Sequence, residues 1–181
     1  MKKFISLTTL LILTRYADAQ TTYLNTPNLK LEANPLVSVF GLGWTGLIFT
    51  QITLLAFIIY ALWVYCFKTV TVPTFDKGTS LKQFISIFYF RDTKSFYKLF
   101  YKLPKNKNSL LYSFGYVLTY SLIFMSIVIS SSTSLLLSNE NYRHFYSSYH
   151  LQACLYLLGI ISVIFFFIKF YKKELLSRIA Y

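Results

Sequence analysis

The chain has 181 residues, of which 55% are hydrophobic, 20% aromatic and only 13% charged, with a mean hydropathy of +0.51. A soluble domain carries about 25% charged residues, so this chain cannot coat a globule with polar surface; its apolar runs exclude disorder and its two cysteines exclude a disulfide scaffold. A net charge of +12 raises the question of nucleic acid, but the cations fall between hydrophobic runs, as topology rather than phosphate binding requires.

In chain order, the first segment has two readings. Lys2-Lys3, the apolar stretch Phe4–Leu13 and Ala17-Asp18-Ala19 before Gln20 read as a secretory signal with a small-residue cleavage site. The rival is a retained helix over 4–24. It would carry Arg15 and Asp18 to bilayer depth, at about 2.5–3.5 kcal/mol each on insertion scales. The two sit three residues apart on one helical face, where they can pair. Thr14, Asp18, Thr21 and Asn25 continue a polar stripe at helical spacing, and such a stripe faces other helices or water rather than lipid.

Asp18-x-x-Thr21-Thr22, followed by Glu32-Ala33-Asn34-Pro35-Leu36 and a long apolar helix, resembles a family of small, uncharacterised prokaryotic multi-pass membrane proteins. In that family an Asp-x-x-Thr-Thr turn ends the first helix and a Glu-x-Asn-Pro segment opens the second. The likeness covers about residues 10–65, and it implies that Asp18 belongs to a retained helix. It brings no activity, and the long basic loop and Arg15 of this chain depart from the family's pattern.

Leu36–Phe67 is uncharged over 32 residues, about 48 Å of helix against a hydrocarbon core of about 30 Å. Gly41, Gly43 and Gly46 weaken its start, which leaves Trp44–Phe67 as the steadier span within a segment of about 40–67. Glu32-Ala33-Asn34-Pro35 suits a helix opening: Asn34 as N-cap, Pro35 at the first position, Glu32 near the positive dipole end. The functional alternative is an outer mouth in which Glu32, Asn34 and Asp18 offer three oxygen ligands to a cation.

The loop 68–108 is basic and patterned. Ser80 is a candidate N-cap for a helix with Leu81, Phe84, Ile85 and Phe88 on one face. Lys94, Lys98 and Lys102 then recur at four-residue spacing opposite Phe96, Phe100 and Leu103, as in an amphipathic helix lying on anionic lipid headgroups. The alternative is a loop helix packed on the ends of the spans. Pro104 and the polar residues to Asn108 end this region.

Two further apolar spans follow, at about 110–137 and 150–168. The segment Ser138–Tyr149 between them holds Glu140 and His144, with His150 just beyond it; the three match no zinc spacing, and the segment reads as a polar loop. No phosphate loop and no serine-nucleophile elbow is present in the sequence, and no cofactor is expected.

The expected architecture is therefore an all-α integral membrane protein of four spans in a single domain, 1–181, with both termini cytoplasmic. Segments 1–3, 68–108 and 169–181 hold two, nine and four cations, fifteen of the eighteen in all, and the positive-inside rule puts them in the cytoplasm. Cys66 and Cys154 then lie at opposite faces of the bilayer, beyond disulfide reach. The candidate polar site is Arg15, Asp18, Thr21, Thr22, Glu32 and Asn34, read either as a proton or cation site or as helix glue. Expected partners are the bilayer, its anionic headgroups at Lys94, Lys98 and Lys102, and another membrane protein or a second copy. Three function classes stay open: an accessory or scaffold protein working by helix contacts, in which Gly41, Gly43 and Gly46 would matter; a small transporter or channel using Asp18; and an intramembrane enzyme.

Overall fold

The computed structural model describes residues 1–29, 35–71, 78–104 and 107–178. The described residues are all-helical: α1 (Lys2–Asn25), α2 (Pro35–Ser38), α3 (Trp44–Phe67), α4 (Leu81–Phe90), a 3-10 turn (Phe96–Phe100), α5 (Lys107–Ser138), α6 (Glu140–Ser148) and α7 (Leu151–Leu176). Three of these helices, α3, α5 and α7, are long and apolar enough to cross a membrane. The 24-residue α1 matches α3 in length but carries Lys2, Lys3, Arg15 and Asp18.

α5 is the hub. It packs closely against α1, α3 and α7, and touches α4 and α6 near its two ends. Its sequence explains the role, because Ser113, Gly115, Thr119, Ser121 and Ser126 are buried along it. Small side chains let helix backbones approach where apolar burial gives no driving force between helices. The approach is closest at Gly115, where a Cβ would fall 2.1 Å from the carbonyl oxygen of Ala61 and 2.8 Å from the Cβ of Tyr65 on α3.

The start of α3 falls at Trp44, as the glycine-weakened run predicts, and Gly41 turns the chain beforehand with φ +65°. Pro35 begins only the one-turn α2, not the spanning helix. Asn34 itself, with Glu32, lies outside the described residues. Gly41 and Gly43 face open space, and Gly46 meets only the side chain of Leu42, so the close helix contact sits at Gly115 and not at these three.

The cation-rich end differs most from the sequence reading. Ser80 caps α4, its hydroxyl accepting from the Gln83 N–H while the Gln83 side chain accepts from the Ser80 N–H. The apolar face then packs into protein rather than lipid: Phe84, Ile85 and Phe88 are buried against α5 and α7. α7 makes this seat by running through Lys169, Lys172 and Lys173, eight residues past the apolar run, with Phe170 and Tyr171 turned inward. Phe88 meets Tyr171 edge-on at 5.6 Å and Phe170 at 6.1 Å. The Tyr89 hydroxyl bonds the hydroxyls of Ser113, at 2.6 Å, and Tyr171, and burial raises its phenol above the ordinary range. The buried Glu174 carboxylate accepts from Tyr112 at 3.1 Å and from Arg178 at 3.1 Å, and Arg178 also donates to the Val70 carbonyl.

At the other end, residues 140–148 form α6 rather than a polar loop. Asn139 caps it by accepting from the Tyr142 N–H, and Tyr142 bonds Ser132 of α5 at 2.8 Å. His150, in the left-handed region at φ +49°, turns the chain into α7.

The α3–α5 approach makes a direct prediction. Gly115→Ala should lower stability in detergent by about 1–3 kcal/mol, the usual cost of forcing extra carbon into a packed core, while Gly43→Ala stays near wild type. Thermal unfolding followed by circular dichroism checks it; equal melting temperatures for the two variants would contradict it.

Candidate functional site

The residues singled out on α1 form a site, though not with the whole set. Arg15 stands near the middle of α1. Its Nη1 donates to the Asp18 carboxylate at 2.5 Å and to Ser126 Oγ of α5 at 3.3 Å. Its Nη2 donates to the side-chain oxygen of Gln51 on α3. One guanidinium thus ties three helices together, as its fixed fork of donors allows. Asp18 is 7% exposed, so its carboxylate is paired where an unpaired charge would be costly.

The threonines divide. Thr22 and Asn25 face a cavity beside the ion pair. Thr21 instead donates to the carbonyls of Ala17, at 3.0 Å, and Asp18, at 3.1 Å, and takes no part in the cavity wall; Thr14 likewise bonds the Leu11 carbonyl. Glu32 and Asn34 lie outside the described residues, so the three-oxygen cation mouth is not among the arrangements described.

The cavity has a volume of about 560 Å³ and lies between α1, α3, α5 and α7, with Tyr146 of α6 in its wall. The Arg15–Asp18 pair and Gln51 form its polar floor. Trp44 clamps the far end: its indole N–H donates to the Pro27 carbonyl at 2.7 Å and its ring meets Tyr23 edge-on at 5.3 Å. Sequence reasoning missed Gln51, Ser126 and the α7 wall. Gln51 carried a signal, being the sole carboxamide in the apolar α3. Ser126 carried none, since it is one serine among many in α5.

The second candidate set does not form a helical face. The chain over 96–100 is a 3-10 turn, and Lys94 and Lys102 lie on either side of it, so the three lysines lack the α-helical register expected of them. Lys98 donates to Ser95 at 2.6 Å and sits 3.6 Å from the Asp92 carboxylate. The Ser95 hydroxyl and then the Lys94 N–H bond Asp92, and together they hold its carboxyl below the usual range. Lys94 and Lys102 stay exposed.

A double-mutant cycle measures what the pair contributes. Asp18→Ala and Arg15→Ala each strand a charge and should each destabilise by about 3–5 kcal/mol. The double variant should lose less than the sum, with a coupling of about 1–3 kcal/mol. Unfolding in mild detergent reads all four proteins, and additive losses would contradict the pairing.

Comparison with protein-family models, with curated proteins and with solved structures returns no match for this chain.

Proposed function

We propose that the chain is a four-span protein of the cytoplasmic membrane, with α1 as its fourth span, and that it acts as a non-enzymatic accessory or scaffold protein through helix contacts. The distribution of cations supports an orientation with the α4 end and both termini in the cytoplasm, where Lys94 and Lys102 would meet anionic headgroups. The same reading keeps the chain beside the prokaryotic membrane proteins it resembles at Asp18–Thr22.

The observation that carries the scaffold reading is the placement of α7. It is the least buried of the three membrane-length helices and packs along α5, leaving Leu157, Ile161, Ile164 and Phe165 facing outward. Asp18, meanwhile, is paired with Arg15 at 2.5 Å, whereas a carrier of this kind would use a lone acid. A second reading, a small transporter, is favoured by the cavity that adjoins this pair.

Site-specific photocrosslinking in native membranes separates partner from lipid. A photoreactive residue at Ile161 or Phe165 should give one discrete protein adduct, identified by mass spectrometry, while the same group at the exposed Phe49 of α3 should give lipid adducts. Lipid adducts alone at all three positions would overturn the scaffold reading.

A further inference from the structure

We propose that the cavity between α1, α3, α5 and α7 is a binding site for a net-neutral amphiphile, whose hydroxyl- or amide-bearing head meets the Arg15–Asp18–Gln51 floor. The claim is occupancy alone, and it rests on neither the partner reading nor transport.

Size comes first. A volume of about 560 Å³ lies within the roughly 300–1,000 Å³ range of small-molecule sites. From Arg15 to Asn25, both in its wall, α1 advances ten residues, or about 15 Å of helix, so the space is elongated. Its middle is apolar, with Leu47, Ile48, Ile129, Leu155 and Ile160. Asn25 and Gln152 supply carboxamides toward the opposite end.

Charge decides the class of ligand. Among the described residues of the wall, only Arg15 and Asp18 are charged, and they neutralise each other. An anion or a cation entering this space would have no counterion unless it broke that pair, and unpaired charge in a low-dielectric wall is heavily penalised. A neutral head has no such cost. It also finds polar groups in the wall: Arg15, Gln51, Asn25 and Gln152 all line the space.

Gly159 keeps the space open. It lies in the α7 wall, and a Cβ there would make only ordinary contact with Met125 Cε, at 3.6 Å. A longer side chain at this position would project into the space the ligand needs.

The test uses the full chain in detergent and in nanodiscs of zwitterionic phosphatidylcholine. Three probes share a chain length: octanoylglycerol (neutral), octanoate (anionic) and octylammonium (cationic). The neutral probe should raise the melting temperature saturably, with an affinity at least tenfold above that of either charged probe. Gly159→Leu, or Leu155→Trp if the first variant does not fold, should weaken the neutral probe at least tenfold, and Gly159→Ala should bind within about threefold of wild type. Native mass spectrometry of the purified protein identifies the source. A retained zwitterionic or uncharged lipid assigns the site to membrane lipid, and a protein free of lipid that still takes octanoylglycerol assigns it to a diffusible amphiphile. Preferred binding of a charged probe, a retained anionic lipid displaced by Gly159→Leu, or a neutral-probe response unchanged in the filled variants would each overturn the proposal.

Discussion

A guanidinium held between helices near the middle of α1 is the constraint on which this arrangement depends. Arg15 can be largely buried between these helices only with its charge matched and its donors engaged, and the matching groups come from Asp18, Gln51 and Ser126. Because those groups belong to three helices, the requirement fixes the rotation of α1 and its depth against α3 and α5. Leu11 then falls into the small cluster with Ile58 and Ile123, and Lys3 reaches Tyr65, donating to its hydroxyl at 2.9 Å. α1, with Arg15 and Asp18 in its length, is thus held by protein contacts.

The remaining contacts follow from how α5 is built. Its buried serines, threonine and glycine present little bulk on the faces that meet α1, α3 and α7, so three helices can share one neighbour. The cation-rich end works differently. There the rings of α4 and α7 interlock, and the Glu174–Arg178 pair closes the end of α7 onto the chain after α3. Polar cross-links in the middle and aromatic packing at the end divide the stability between them. Toward the opposite end the same helices part, and the cavity occupies the gap.

Much of this was legible in the sequence, for identifiable reasons. Trp44 as the start of α3 followed from three glycines, Ser80 as a cap followed from hydroxyl chemistry, and the Arg15–Asp18 pair followed from spacing and the cost of burying either alone. What escaped depended on contacts between distant segments. The face of Phe84, Ile85 and Phe88 is equally suited to lipid and to protein, and the protein comes from α5 and from the continuation of α7 past Ile168. The lysines at 94, 98 and 102 have α-helical spacing, yet the Asp92–Ser95–Lys98 bonds hold a tighter turn. The cavity is a property of four helices at once, and no single one announces it.

For function, the pair has two consequences. It gives Asp18 a charged partner, and it leaves beside itself a space whose described wall residues carry no net charge. Both rest on one geometry, so the account is tested most directly by observing that geometry in a bilayer. Solid-state NMR of protein carrying 15N-labelled arginine with 13C-labelled aspartate and glutamine, in lipid, reads it through dipolar couplings. Correlations from the Arg15 guanidinium nitrogens to both the Asp18 carboxyl carbon and the Gln51 amide carbon are the predicted result. An Arg15 signal coupled to neither, in a protein whose helices remain intact, would contradict the account.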